Sequence, residues 1–253
     1  MKITFLGTGT SQGVPVIACD CRVCTSADER DKRLRVSVMI ETQGKVIVID
    51  SGPDFRYQML RAGVKHLDAI VFTHEHKDHV AGMDDIRAFN YKQQTEIDIY
   101  AHTRVQGALK REFSYIFSDY TYPGIPKVIL NDIDDKPFLV HGIEFIPIKV
   151  MHYKLPVLGF RAGDFTYITD AKTIADEEKK KIKGSKIMVI NALQREKHIS
   201  HFTMEEALAF ADEMNAEQTY FTHISHRLGR HQDVTEELPL NVNLGYDGLV
   251  LKL

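Results

Sequence analysis

One short polar stretch constrains what this chain can fold into more than any other part of it. Residues 73–79 read Thr-His-Glu-His-Lys-Asp-His and follow directly on the apolar run of residues 67–72. That run predicts a short buried strand over residues 69–72. The polar side chains therefore follow the carboxyl end of a strand, which is where open α/β sheets place their chemistry.

The side chains in this stretch have the spacing of metal ligands. His74 and His76 are two residues apart, so from extended backbone their imidazoles can reach one point. Asp78 and His79 are neighbours and are expected to point apart, which suits two metal ions better than one. Histidine together with carboxylate favours a borderline divalent ion such as Zn²⁺. The alternative is a polar surface loop rich in histidine, but this spacing after an apolar strand favours a metal site.

The same residues carry a family resemblance. The pattern His-x-His-x-Asp-His over residues 74–79 resembles the signature of the metallo-β-lactamase superfamily, which implies an α/β fold: a four-layered αβ/βα sandwich with two mixed sheets. Later in the chain, His152, Asp170 and His223 each follow a strand-like segment, in the order the superfamily uses. The ligand set that the resemblance implies is His74, His76 and His152 for one metal ion, Asp78, His79 and His223 for a second, and Asp170 as the bridge.

Length and composition are those of an ordinary globular protein. With 253 residues, of which 43% are hydrophobic and 26% charged, the chain can bury a full core. No linker-like stretch interrupts it, so residues 1–253 are expected to form one domain. A net charge of −3 argues against a dedicated nucleic-acid surface. The sequence shows neither a basic leader nor an apolar run near ~20 residues, which predicts a cytoplasmic protein without membrane contact.

All three cysteines fall within six residues, at Cys19, Cys21 and Cys24. A cytosolic protein has little use for disulfides, and three is an odd number. Clustered thiols at these spacings suit a structural Zn²⁺, which takes four ligands. We expect His226 to be the fourth, because His223 can serve the paired metals while His226 turns to the cysteines. The alternative is three unliganded thiols in an exposed loop.

Three motifs together indicate one particular branch of this superfamily. They are the Gly-Thr-Gly-Thr-Ser-x-Gly-x-Pro loop of residues 7–15, the Cys-x-Cys-x-x-Cys cluster and the His-x-x-His pair at residues 223–226. In combination they are similar to the phosphoribosyl cyclic phosphate phosphodiesterases of the carbon–phosphorus lyase pathway. That family carries a third, structural zinc, and its first glycine loop lies beside the dinuclear centre. By itself the glycine loop suits a tight turn between strands equally well.

A further histidine, His201, precedes a predicted helix. Thr203 and Glu206 predict a capping box for a helix that runs to about Met214. In the phosphodiesterase branch that the chain resembles, the position of His201 holds a catalytic histidine near the leaving group. His198 is the second candidate, and either histidine can instead be a plain hydrogen-bonding loop residue. The helix N-terminus itself is expected to add a favourable field for a phosphate.

Two other segments have open interpretations. Asp50 follows a predicted strand, where it can steady a ligand histidine or simply open a helix. The aromatic and proline-rich residues 115–126 can wall a substrate pocket, form a homodimer contact or pack in the core of an irregular loop.

These residues predict a metal-dependent hydrolase of a small phosphodiester, such as a cyclic sugar phosphate or a cyclic nucleotide. Two Zn²⁺ or Mn²⁺ ions would make a bridging hydroxide available near neutral pH. Asp78 would orient that hydroxide, and His201, as imidazolium, would donate a proton or a hydrogen bond to the departing oxygen.

Three other functions are weaker interpretations. A tRNA 3′-end processing endonuclease shares the metal motif, but the sequence has no long Gly- and Lys-rich arm insertion and its net charge is acidic. A thiolesterase or lactamase would leave the cysteines and His201 unexplained. A metal-binding protein without catalysis fits poorly with a complete set of seven ligands for two ions.

Overall fold

The chain folds around two mixed β-sheets in a computed structural model that describes residues 1–118 and 122–253. Each sheet has an antiparallel half and a parallel half. In the first sheet the strands, in spatial order, are β15 (Val250–Lys252), β1 (Lys2–Gly7), β2 (Ser37–Thr42), β3 (Lys45–Ile49), β4 (Ala69–Val71), β5 (Ile97–Ala101) and β6 (Val128–Asp132). Pairing is antiparallel from β15 to β3 and parallel from β3 to β6.

The second sheet repeats this division. Its spatial order is β11 (Thr173–Ile174), β8 (Ile143–His152), β9 (Leu155–Ala162), β10 (Phe165–Tyr167), β12 (Ile187–Asn191), β13 (Gln218–Thr222) and β14 (Val242–Leu244), with β7 (Phe138–Val140) paired to β8. The pairing changes from antiparallel to parallel at β10. Parallel strands present their carboxyl ends at one edge of a sheet, which is where the candidate ligands follow them.

Helices cover the outer faces. The α-helices are α1 (Phe55–Arg61), α2 (Lys77–Val80), α3 (Arg87–Gln93), α4 (Thr103–Glu112), α5 (Asp176–Ile182), α6 (Met204–Met214) and α7 (His231–Thr235), and the 3₁₀ turns are Glu29–Asp31, Met83–Ile86 and Ser114–Ile116. Among these described helices none has the length and apolar character needed to cross a bilayer.

Alternating side chains along the strands build the layers. In β3, Ile47 and Ile49 pack between the two sheets, whereas Val48 packs against α1, α3 and α4. In β12, Val189 faces the layer between the sheets and Met188 faces α5, α6 and α7. Full burial of each such side chain stabilises the fold by about 1.5–3 kcal/mol. This period-2 alternation produces helix, sheet, sheet and helix layers, and it confirms the predicted four-layered sandwich.

Two local sequence patterns, a helix cap and a tight turn, are found in the structure where the sequence places them. The capping box is present, since the Glu206 carboxylate accepts from the Thr203 amide at 2.8 Å and the Thr203 hydroxyl accepts from the Glu206 amide at 3.2 Å. The hairpin between β2 and β3 turns at Gln43 and Gly44, which both have positive φ, as a two-residue turn of this kind requires.

Two helical segments are interrupted. The 3₁₀ turn Met83–Ile86 runs directly into α3, and α4 ends at Glu112, where Phe113 separates it from the 3₁₀ turn Ser114–Ile116. Of the aromatic segment, Ile116 and Phe117 pack against the core, whereas Tyr115 and Tyr122 are exposed, so core packing is correct for part of the segment only. Residues 119–121 of that segment lie outside the described residues. The homodimer contact stays a prediction.

Candidate metal centre

The motif of residues 73–79 begins directly after β4. His74 is fully buried, and its Nε2 lies 3.0 Å from Nδ1 of His76, so the two imidazoles reach one point as their spacing predicts. The Thr73 hydroxyl lies 3.0 Å from Nδ1 of His74, which leaves Nε2 directed toward His76.

Asp78 and His79 converge instead of pointing apart. Both lie in the four-residue helix α2, and Oδ2 of Asp78 is 3.3 Å from Nε2 of His79. The expectation was wrong because it treated the segment as extended backbone, in which neighbouring side chains alternate. In a helical turn, neighbours are rotated by only about 100°, so a long imidazole can return toward the adjacent carboxylate.

The second sheet contributes Asp170 and His223. Asp170 divides its carboxylate, with Oδ2 at 3.2 Å from Nε2 of His79 and Oδ1 at 3.3 Å from Nε2 of His223. These two histidines belong to the set expected for one ion, and Asp170 also has an oxygen within 4.8 Å of a ligand atom of His74 and of His152, so its carboxylate can reach both ligand groups. Both residues have left-handed backbone, with φ of 56° at Asp170 and 54° at His223. Left-handed backbone is uncommon outside glycine, and such positions concentrate at functional sites.

His152 completes the cluster from the end of β8. Its Nδ1 donates to the Ser200 carbonyl oxygen at 2.9 Å, so its Nε2 remains available as a ligand. Its ring centre lies 5.2 Å from that of His76 and 6.1 Å from that of His74. We call the predicted ligands brought together here the His/Asp cluster: His74, His76, Asp78, His79, His152, Asp170 and His223.

Asp50 is hydrogen-bonded to one of the candidate ligands, His79. The His79 Nδ1–H donates to its carboxylate at 2.7 Å, and the Thr73 amide and hydroxyl donate to the same carboxylate at 2.9 and 2.8 Å. The helix-entry interpretation is wrong, because Asp54 is the residue that precedes α1. A carboxylate on the far nitrogen of a ligand histidine fixes the tautomer and the ring orientation.

Burial and neighbouring charges both shift the pKa values of the groups in this cluster. Burial works to raise the pKa of Asp170, but the charges of His223 and His79 outweigh it and hold that pKa well below its ordinary value. Burial lowers the pKa of His74 well below its ordinary value, and the charge of His79 adds to this effect. Burial also works to lower the pKa of His79, but the charges of Asp170 and Asp78 outweigh it and raise that pKa well above its ordinary value. Without metal the cluster therefore holds anionic carboxylate beside a neutral His74 and a protonated His79, and a bound cation would take the place of that proton.

Two ring nitrogens mark where a cation fits. Nε2 of His79 and Nε2 of His223 are buried and have no hydrogen-bond partner among the described residues, although carboxylate oxygens lie 3.2–3.3 Å away. A buried, unpaired polar nitrogen is costly unless something satisfies it. Divalent cations held by nitrogen and oxygen ligands would satisfy both atoms and neutralise the carboxylates.

The cysteine cluster comprises Cys19, Cys21, Cys24 and His226. Nδ1 of His226 lies 3.2, 3.4 and 3.5 Å from the three Sγ atoms, in that order. Ligand bonds of ordinary length in a tetrahedral zinc site place nitrogen about 3.6 Å from each sulfur. All three thiols are free of disulfide bonds. The predicted four-residue set is thus assembled at nearly the spacing of a tetrahedral site.

Backbone groups also approach the sulfurs. The Cys24 amide lies 3.5 Å from Sγ of Cys21, and the Val16 amide lies 3.3 Å from Sγ of Cys24. The hydrogen bond from the Cys24 amide lowers the pKa of Cys21 to about 6, whereas burial raises the pKa of Cys24 to about 11. Amide–sulfur contacts of this kind favour thiolate, the form that binds zinc.

The two clusters share one segment of chain. Residues 223–226 follow β13 and supply His223 to one cluster and His226 to the other. The glycine loop of residues 7–15 lies against this segment: Gly9 bridges Ile224, and the Thr10 amide donates to the Ile224 carbonyl at 3.1 Å. The structure therefore places the glycine loop beside the metal centre, as the family resemblance implies.

His201 lies against the cluster, and His198 lies farther out. The ring of His201 is 4.5 Å from His152 and 4.7 Å from His223, and its Nδ1 is 3.8 Å from Oδ1 of Asp170. Burial, with the charge of His223, lowers the pKa of His201 to about 2. The imidazole is therefore neutral in the free protein, and a hydrogen bond from its N–H is a better role than donation from imidazolium.

The N-terminus of α6 already carries an anionic group of its own. The carboxylate of Glu206 accepts from the Thr203 amide, and Lys172 lies 2.7 Å from that carboxylate. The favourable field of this helix for a phosphate stays a prediction.

The remaining histidines have structural contacts. His102 caps α4, His66 pairs with Asp68 and His141 pairs with Asp98. The Nδ1 atom of His231 lies 3.2 Å from a guanidinium nitrogen of Arg33, and both side chains are buried. Sequence reasoning missed Ser200, whose carbonyl orients His152, because a backbone acceptor leaves no signature in the sequence.

A sandwich of two mixed sheets, with a His/Asp cluster at the carboxyl ends of their strands, defines a metal-dependent hydrolase. The family model described as "Beta-lactamase superfamily domain" matches residues 45–224, a range that includes every member of the His/Asp cluster. The chain belongs to the metallo-β-lactamase superfamily and, within it, to the PhnP family. The second assignment rests on a solved structure described as a new diphosphatase from the PhnP family, which is 38% identical, covers 100% of this chain and 97% of its own, and superposes with a TM-score of 0.94.

Two other relatives are less informative about activity. An octanoyltransferase of Porphyromonas gingivalis is 41% identical over 252 residues, which is 98% of this chain but 51% of that protein. This chain thus spans about half the length of that relative. Human tRNase Z, short form, superposes with a TM-score of 0.73 over 100% of this chain and 99% of its own at 19% identity, which shows a shared fold.

Proposed function

We propose that this chain is a metal-dependent phosphodiesterase that hydrolyses a small phosphodiester or diphosphate, such as a cyclic sugar phosphate or a nucleotide. The observation that carries the proposal is the position of Asp170, whose carboxylate lies within reach of histidines from both expected ligand groups: His79 and His223 of one, His74 and His152 of the other. The placement of His201 beside that carboxylate supports a phosphoryl substrate, because a hydrolase of phosphate esters must stabilise a departing alkoxide.

Ligand atoms lie within 4.8 Å of one another in the complete cysteine set and, in the His/Asp cluster, in the groups His74, His79 and Asp170 and Asp78, His79 and His223. In the His/Asp cluster, His74, His76 and His152 would hold one ion, Asp78, His79 and His223 a second, and Asp170 would bridge them. The cysteine cluster would hold a structural Zn²⁺. Zn²⁺ or Mn²⁺ at the paired positions would supply Lewis-acid stabilisation of phosphoryl oxygens and would lower the pKa of coordinated water.

The protein's own side chains position the reactants. Asp50 fixes the ring of His79 through the Nδ1–H, so Nε2 is presented to the cluster in one orientation. Asp78 lies 3.3 Å from that nitrogen and would orient the attacking water by accepting a hydrogen bond from it. His201, on the opposite side near His152, can donate its N–H to the oxygen that departs.

Other activities agree less well with the structure and the relatives. Octanoyl transfer is the named activity of a protein twice as long, and this chain accounts for only about half of it. The ribonuclease Z likeness in structure is at 19% identity, and the net charge of −3 argues against a dedicated surface for a tRNA. A thiolesterase or lactamase would have no use for a buried histidine at position 201.

A substrate screen tests the proposal. Metal-loaded protein is assayed against bis-p-nitrophenyl phosphate, cyclic nucleotides, phosphoribosyl cyclic phosphate, dinucleoside diphosphates, a precursor tRNA and thioesters. His74→Ala protein purified in parallel controls for contaminating hydrolases. We expect the largest kcat/KM for a small phosphodiester or diphosphate. Faster cleavage of precursor tRNA or of a thioester than of every small phosphate compound would contradict the proposal.

A further inference from the structure

A cleft of about 480 Å³ opens beside the His/Asp cluster, and both polar and apolar side chains line it. His76 and His152 line it together with the largely apolar side chains of Tyr153, Leu155 and Ile199. This volume falls within the ~300–1,000 Å³ range of small-molecule sites. A molecule that fits it must place a polar group at the histidines and an apolar group higher up.

Two of the apolar residues are exposed to an unusual degree. The Tyr153 residue is 52% exposed and Ile199 is 65% exposed, although both have large apolar side chains. Each is tied to the candidate ligand His152: Tyr153 follows it directly in the chain, and Ile199 precedes Ser200, whose carbonyl accepts from the His152 ring. Their distance from the candidate metal ligands is therefore fixed by covalent connection and by one hydrogen bond.

The backbone at Tyr153 is also unusual. His152 pairs with Leu155 across the hairpin of β8 and β9, so Tyr153 and Lys154 form a two-residue turn. Tyr153 has φ of 57°, a left-handed conformation that turns of this kind normally assign to Asn, Asp or Gly. A bulky aromatic residue is unfavourable there, and such positions concentrate at ligand sites. The neighbouring Lys154 contacts the same ring, with its Nζ 5.4 Å from the ring centre.

We propose that Tyr153 and Ile199 bind the base of a nucleotide substrate whose phosphate lies at His76 and His152. The inference rests on the proposed phosphodiesterase function and narrows its substrate class from sugar phosphates to nucleotides. An exposed tyrosine ring stacks on any base, because every base has a π-face, and an aliphatic side chain opposite can cover the other face. The Lys154 ammonium adds a positive charge at the rim, where a second phosphate of a diphosphate would lie.

Calorimetric binding of AMP and ribose 5-phosphate to the metal-loaded protein tests this directly. The two compounds carry the same phosphate and sugar, and only AMP has a base. We expect AMP to bind about 5–150-fold more tightly, the ratio that stacking of one base supplies. In Tyr153→Asn the ratio should fall close to one, because asparagine tolerates left-handed backbone and keeps the turn but lacks the ring.

Two further variants separate the ring from other effects. Tyr153→Phe keeps the ring and should keep the ratio. Tyr91→Ala removes a tyrosine that is 83% exposed on α3, away from the cleft, and should also keep it. Equal affinity of the wild-type protein for the two compounds, no binding of either one, or a ratio preserved in Tyr153→Asn would overturn the inference. Hydrolysis of bis-p-nitrophenyl phosphate by the same preparation tests the proposed phosphodiesterase function separately. A preparation that hydrolyses this compound but does not prefer AMP would therefore contradict only the base-binding proposal.

Discussion

The His/Asp cluster and the cysteine cluster are neighbours built in opposite ways. The first draws its side chains from the ends of β4, β8, β10 and β13, so it exists only after both sheets have packed together. The second draws three of its four side chains from six consecutive residues of an irregular loop, and only His226 comes from a distant part of the chain.

The two clusters also differ in how accessible they are to a substrate. In the cysteine cluster all three sulfurs surround one nitrogen, which is the closed four-ligand arrangement of structural zinc sites. The His/Asp cluster adjoins a cleft through His76 and His152, so a substrate can reach it. The comparison teaches that one segment, residues 223–226, can serve a stabilising site and a reactive one at the same time.

The strongest test of this comparison removes a ligand from the open cluster. His74→Ala is expected to reduce phosphodiester hydrolysis to background and to cost both ions of the His/Asp cluster, while the ion at the cysteines remains. Metal analysis by mass spectrometry and activity on bis-p-nitrophenyl phosphate measure the two effects. His66→Ala, which changes a half-exposed histidine outside both clusters, is the control. Wild-type protein containing one ion or none would contradict the assignment of both clusters.

A smaller loss is expected when the donor beside the open cluster is removed. His201→Ala should lower kcat by ~10²–10⁴-fold on a cyclic sugar phosphate or nucleotide and change KM little, because the hydrogen bond acts on the departing oxygen. On bis-p-nitrophenyl phosphate the loss should shrink, since that leaving group hardly needs stabilisation. His198→Ala is the matched control. Equal losses on the two substrates would exclude the leaving-group role.

Removal of the carboxylate beneath the open cluster should have a milder effect. Asp50→Asn keeps the shape but weakens the hold on His79 Nδ1, so metal affinity or activity should fall by ~10–100-fold. A metal titration followed by activity gives the affinity. Asp176→Asn changes a carboxylate exposed at the start of α5 and should leave both quantities unchanged. An unaltered titration for Asp50→Asn would show that other contacts orient His79.

The smallest effect on turnover is expected at the closed cluster. Cys21→Ser should remove one ion per chain and lower the melting temperature by more than about 5 °C, because structural zinc contributes directly to folding free energy. Turnover per folded, metal-loaded molecule should stay at the wild-type value, because the open cluster keeps all of its ligands. Full metal content and normal melting in this variant would reassign the cysteines as unliganded thiols.

Much of the fold and of the site follows from local signals. The spacing of His74 and His76 predicts their convergence, and Thr203 with Glu206 predicts the start of α6. These succeed because the interacting atoms lie within a few residues of each other. The four layers and the later ligands were predicted only through the family resemblance.

The features that sequence reasoning missed depend on short elements or distant contacts. Helix α2 has four residues, too few to show a helical period, so the convergence of Asp78 and His79 was not predicted. The contact between His152 and Ser200 joins residues 48 positions apart and uses a backbone oxygen.

The shared segment after β13 also limits how the gene can change. Residues 224 and 225 separate His223 from His226, and Ile224 is held in backbone pairing with Gly9. A substitution at either intervening position can be tolerated as long as the backbone path is kept. An insertion or deletion of one residue would carry His226 away from the sulfurs or His223 away from Asp170, so the length of this segment is more tightly constrained than its composition.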